Sequence, residues 1–134
     1  MLADIKSPCN WLPARDLSYL ADNGIEAECL SDGSQKAIVL KNFLLPANKF
    51  KVARADILVL IPQAYPDVPP DMFYADPWLL LKDTERYATA ADQPQAFAGR
   101  NWQRWSRHNN EWRPGRDGIR SHIRRIRTAL EEAA

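Results

Sequence analysis

The apolar run Ile57-Leu58-Val59-Leu60-Ile61 leads straight into Pro62-Gln63-Ala64-Tyr65-Pro66-Asp67-Val68-Pro69-Pro70, which carries four of the chain's ten prolines. A proline fixes φ at about −65° and removes a backbone donor, so sheet pairing has to stop at Pro62. The residue before each proline is pushed toward extended conformations, which keeps Ala64 to Val68 from relaxing into a helix. The chain therefore turns through a stiff elbow before its next apolar run, Met72-Phe73-Tyr74. Taken alone, the segment also fits a proline-rich loop with no meaning beyond its shape.

The flanking pattern is α+β. Pro13 to Asn23 reads as a short first helix, with Leu17 and Leu20 inward and Gly24 as its stop. Ile25 to Leu30 alternates with period two and predicts a strand, and Ser31-Asp32-Gly33-Ser34 supplies a turn. Ala37 to Leu45 is a β-rich run broken at Pro46. Ala55 to Ile61 and Met72 to Ala75 bring the count to four strands with short connections, an antiparallel meander. Residues 76–101 read as a long irregular loop over the domain, anchored by Trp78-Leu79-Leu80-Leu81. Asp117 is the expected N-cap of a last helix. There Ile119, Ile123, Ile126 and Leu130 form an apolar stripe, and Arg120, Arg124 and Arg127 share another face. The order predicts a C-terminal helix packed on an antiparallel sheet. Residues 1–12 read as an N-terminal extension and 13–134 as a single domain.

At 134 residues the chain can bury a real core. Its 46% hydrophobic and 26% charged residues match a water-soluble globular protein, and no apolar run approaches the roughly 20 residues of a membrane span. The start, Met1 to Lys6, lacks the long apolar region of a secretion signal, so the cytoplasm is the expected compartment. Cys9 and Cys29 have no metal-ligand spacing, and in a reducing compartment they read as small, partly buried fillers rather than a bridge. No metal or other cofactor is expected. The net charge of +1 hides a skew, because residues 100–127 hold nine arginines against Glu111 and Asp117. Such a stretch is either a basic surface for an anionic partner or a solvated helix face.

The spacing Pro-x-x-Tyr-Pro-x-x-Pro-Pro after an apolar strand resembles the ubiquitin-conjugating-enzyme-like (UBC-like) superfamily, where it joins the third and fourth strands of the meander. Trp112-Arg113-Pro114, followed by Asp117 and the last helix, is similar to the Trp-Ser-Pro segment of that superfamily. The two matches span roughly residues 12 to 133. The stretch Trp102-Gln103-Arg104-Trp105-Ser106-Arg107-His108 resembles one bacterial branch, the prokaryotic family E. The resemblance implies a UBC-like fold and a cis bond at Tyr65-Pro66. It also implies partners: a ubiquitin-like protein, an adenylating activating enzyme and often a JAB-type metallopeptidase.

Standard members carry their modifier as a thioester on a cysteine between the fourth strand and the Trp-Ser-Pro segment, where thiolate is accessible at neutral pH. In this chain no cysteine follows Cys29, and there is no His-Pro-Asn triplet. Asn101, Asn109 and Asn110 lie nearby but outside any such motif. In an extended backbone Ser106 and His108 project to the same side. A histidine can act as base near pH 7, and a serine becomes a nucleophile with such help. Ser106 is thus a candidate acyl acceptor and His108 a candidate base. The alternatives are a turn-capping serine and a surface or structural histidine. Tyr65, Trp102, Arg104, Trp105, Arg107 and Trp112 are candidate binding residues, since exposed aromatics and arginines dominate contact hot spots. Buried, the tryptophans would be core fillers.

Three functions compete. The first is a nonstandard conjugating-enzyme-like component of a bacterial ubiquitin-like modification pathway. The second is a non-catalytic adaptor for a ubiquitin-like protein or an activating enzyme. The third, nucleic-acid binding through the arginine-rich third, lacks a supporting motif; it predicts affinity falling steeply with salt.

Overall fold

A computed structural model describes residues 9–108 and 110–134. Met1 to Lys6 and Asn109 lie outside the described residues. A 3-10 turn, Cys9–Trp11, precedes helix α1, Ala14–Asp22. Strands β1 (Ala27–Asp32), β2 (Gln35–Leu44), β3 (Arg54–Ile61) and β4 (Phe73–Asp76) follow as the expected meander. Two further strands, β5 (Gln93–Phe97) and β6 (Arg100–Trp105), precede helix α2 (Ile119–Glu132). The six-stranded sheet has the order β1-β2-β3-β4-β6-β5, and every pairing is antiparallel.

The extra hairpin corrects the four-strand expectation. Its two-residue turn, Ala98-Gly99, has both residues at positive φ, 51° and 76°, as a tight hairpin with the right twist requires. Neither Asn-Gly nor Asp-Gly announces it. β5 also contains Pro94, which is tolerated because β5 is an edge strand.

Each sheet face covers a core. On one face Ile38, Leu40, Ile57, Val59, Phe73 and Trp105 pack with the α2 stripe Ile119, Ile123, Ile126 and Leu130. On the other, Leu30, Ala37, Val39, Leu58, Tyr74 and Trp102 form a smaller cluster with Phe97. Among the described residues no helix packs on that second face. Ala98 N–H, at the tip beyond one edge strand, donates to the carboxylate of Asp32 at the end of the other, 3.3 Å away.

The first helix differs in register from expectation. Leu20 is buried, but Leu17 is 38% exposed and Asp16 turns inward instead. Asp16 has a task there. One carboxylate oxygen accepts Ile119 N–H at the start of α2, 3.1 Å away, and the other accepts the Tyr65 hydroxyl. Gly118, not Asp117, is the N-cap, and it has no side chain for the purpose. A Cβ at Gly118 would come within 2.8 Å of Asp16 Oδ1, so only glycine lets the two helices meet this way. Asp117, one residue earlier, accepts Arg113 N–H at 2.8 Å and the Ser121 hydroxyl at 3.0 Å, tying the turn before α2 to its first turn.

Cys9 and Cys29 are bridged, contrary to the expected pair of unlinked fillers. The strand-borne Cys29 faces the core beside the 3-10 turn, with a Cα–Cα distance of 5.4 Å, inside the range a disulfide spans. Leu12, also assigned to the extension, is buried at 5% exposure. Residues 9–12 are thus fastened to the domain. Among the described residues no helix is long and apolar enough to cross a membrane.

Candidate functional site

The pairing of β4 with β6 builds the site. Phe73 lies opposite Trp105 and Tyr74 opposite Arg104. Following that antiparallel register past Phe73 carries the end of the proline elbow, Asp71, toward the residues that leave β6. There His108 Nδ1 lies 2.9 Å from Asp71 Oδ2, and His108 Nε2 lies 3.5 Å from Ser106 Oγ. With a proton on Nδ1, the imidazole donates to Asp71 and turns its Nε2 lone pair toward the serine hydroxyl. That is the tautomer a general base needs. The His108 and Asp71 side chains are 59% and 56% exposed, so an incoming protein can reach them.

Asp71 escaped the sequence reading. It lies 37 positions from His108 and carries no motif. Only the β4–β6 pairing, which lies outside the expected four-strand meander, makes them neighbours.

The elbow itself is held from behind. Tyr65-Pro66 is cis, as the resemblance implies, and Asp76-Pro77 is cis as well. Trp112 donates its indole N–H to Pro66 O at 2.8 Å, and its ring lies tilted beside Tyr65 with centroids 6.2 Å apart. Burial and then the Asp16 carboxylate push the Tyr65 phenol well above its usual pKa, so it stays a hydrogen-bond donor. Half-buried Tyr65 and Trp112 thus brace the bend, each with an edge left to solvent.

The remaining candidates separate. Trp102 and Trp105 are fully buried, so neither is an exposed contact anchor. The Trp102 indole donates to Phe97 O and the Trp105 indole to Gln103 Oε1. Arg104 is half-buried on the face shared with Tyr74, and Arg107 lies over the Trp105 ring, 5.0 Å from its centroid. Asn101 and Asn110 are exposed, and neither touches Ser106 through a described hydrogen bond. Arg113, Arg116, Arg120, Arg124 and Arg125 are all exposed on α2 and the turn before it, a placement that suits a solvated helix face as well as a basic surface. Among the described residues no three His, Cys, Asp or Glu side chains converge as a metal site.

Comparison with known proteins adds one finding. A family model described as prokaryotic E2 family E matches residues 12–133. No curated protein matches the chain, and no solved structure does.

Proposed function

The chain belongs to the prokaryotic E2 family E, and from that premise we propose that it is a nonstandard E2-like component of a bacterial ubiquitin-like modification pathway, with Ser106 in place of a cysteine. The observation that carries this reading is the Ser106–His108–Asp71 array beside the elbow. Both cysteines are bridged, and none follows Cys29. In the proposed step, Ser106 Oγ attacks the activated C-terminal carbonyl of a ubiquitin-like protein presented by an adenylating activating enzyme. His108 Nε2 takes the hydroxyl proton, the Oγ–C bond forms, and the bond to the activating enzyme's leaving group breaks. That group departs with the proton. An acceptor amine then displaces Ser106 from the ester, His108 serving again as the proton carrier. Asp71 is a positioning residue that holds the imidazole in its working tautomer. A JAB-type metallopeptidase fits as the pathway's removing enzyme, and a partner that spends ATP fits a cytoplasmic setting, against which the Cys9–Cys29 bridge stands.

Incubation with activating enzyme, ATP and modifier should yield an adduct that survives reducing agent and is released by hydroxylamine. Ser106→Ala should abolish it, and His108→Ala should slow it by about 10²–10⁴-fold. Normal conjugation by both variants would overturn the transfer role.

The second reading is a non-catalytic adaptor that holds a ubiquitin-like protein or its activating enzyme. It is favoured by the Ser106–His108 distance, which sits at the outer limit of a hydrogen bond. Saturable modifier binding with full pathway output from His108→Ala would select it.

A further inference from the structure

Beside His108 a cleft of about 600 Å³ opens between the segment leaving β6 and the flank of α2. This is within the size range of ligand-binding pockets. Its floor is apolar, made by Phe73, Ile126, Ala129 and Ala133, and its wall carries the guanidinium groups of Arg107, Arg124 and Arg125. Two of these are fixed in place. Arg107 stacks on Trp105 and donates to Ser106 O at 3.2 Å, and Arg125 donates to His108 O at 2.8 Å.

Each guanidinium has five N–H donors, so both retain unused donors after these bonds. Among the described residues none of the three arginines forms an ion pair, and Glu132 is the only acidic side chain lining the cleft. Burial presses the Arg107 pKa downward, the mark of a cation partly stripped of water. Arg107 is half-buried and keeps access to water on one side, and an anion in the cleft would complete the shell that burial removes.

We propose that this cleft is a carboxylate subsite, which seats the acidic side chain of an extended peptide segment against Arg107, Arg124 and Arg125 beside Ser106 and His108. The planar forks match a carboxylate in bidentate geometry. The apolar floor suits the aliphatic stem of a glutamate, and Glu132 opposes a run of phosphates. The inference rests on the acyl-transfer reading only in naming what is delivered: the joined or receiving protein carries an acidic residue near its reacting end.

The test titrates the full chain with a blocked Gly-Glu-Glu-Gly peptide, its glutamine counterpart and single-stranded oligothymidine, following affinity and the imidazole NMR signals. The glutamate peptide should bind about tenfold tighter than the glutamine one and displace the His108 imidazole signals at saturation, which the glutamine peptide should leave in place. Arg124→Glu, on an exposed helix face, should remove the preference without unfolding the chain, and Arg107→Gln should weaken binding about tenfold. Equal binding of the two peptides, no saturable binding, an unaffected Arg124→Glu variant, or oligothymidine displacing the peptide from these residues would each overturn the subsite. Peptide discrimination without a Ser106 adduct would retire the transfer reading alone. An adduct without discrimination would retire the subsite alone.

Discussion

Asp16 shows how one side chain can commit three segments at once. It is 2% exposed, and its two oxygens serve the start of α2 and the tyrosine of the elbow. Arg15, the next residue back, donates to the carbonyls of Gly115 and Asp117, fastening the same turn. Tyr65→Phe should therefore cost more than an average hydrogen bond, about 2 kcal/mol, since it strands a buried carboxylate oxygen. Denaturant titration of the variant checks this, with the midpoint expected to fall at unchanged slope.

His122 makes a second residue-scale prediction. It is 2% exposed on α2, and its Nε2 lies 3.3 Å from Met72 O. Burial, reinforced by Arg125 and opposed by Met72 O and Asp71, lowers its pKa from 6.5 to about 4. Between those values the unfolded chain binds more protons than the folded one. Stability is then complete above about pH 6.5 and falls as pH drops toward 4, by roughly 3 kcal/mol if this group acts alone. His122→Gln should flatten that slope in unfolding measurements across the interval.

At the scale of elements, the segment between β4 and α2 carries most of what sequence reading missed. Helices α1 and α2 and strands β1 to β4 were legible because proline, glycine and apolar periodicity mark their limits. The hairpin β5–β6 was not, since Ala98-Gly99 is a weak turn signal and Pro94 argues against a strand. The site was half legible. Ser106 and His108 share a local extended stretch, whereas Asp71 reaches them only through the unannounced β4–β6 ladder. Arginine and tryptophan spacing could not separate the buried Trp102 and Trp105 from a contact surface, because burial there is set by pairing with distant segments, as of Trp105 with Phe73 and of Trp102 with Gln95.

Gln103 fastens this region. Its Oε1 accepts Leu79 N–H at 2.7 Å and the Trp105 indole at 3.0 Å, and its Nε2 donates to Ala91 O at 2.7 Å and Leu79 O at 3.3 Å. All four valences of a fully buried amide are used. Gln103→Ala should destabilise the protein by about 3 kcal/mol, leaving two buried N–H groups unpaired. Hydrogen exchange should show the Leu79 amide losing protection first.

For the molecule as a whole, the Cys9–Cys29 bridge closes a separation of 20 residues and pins the start of the described chain to β1. Loop-closure entropy gives such a link about 3 kcal/mol. Unfolding with and without reductant should differ by about that amount, and a Cys9→Ser, Cys29→Ser double variant should match the reduced protein. An unchanged midpoint would mean the other contacts of Trp11 and Leu12 suffice.

The contact between Ala98 and Asp32 reaches beyond the hairpin that makes it. It is a single corner bond and not a ladder: among the described residues β1 pairs only with β2 and β5 only with β6, so the sheet keeps two open margins. A partner's strand can add to either by backbone pairing, and Pro94, which has no N–H to give, makes the β5 margin the poorer rail of the two.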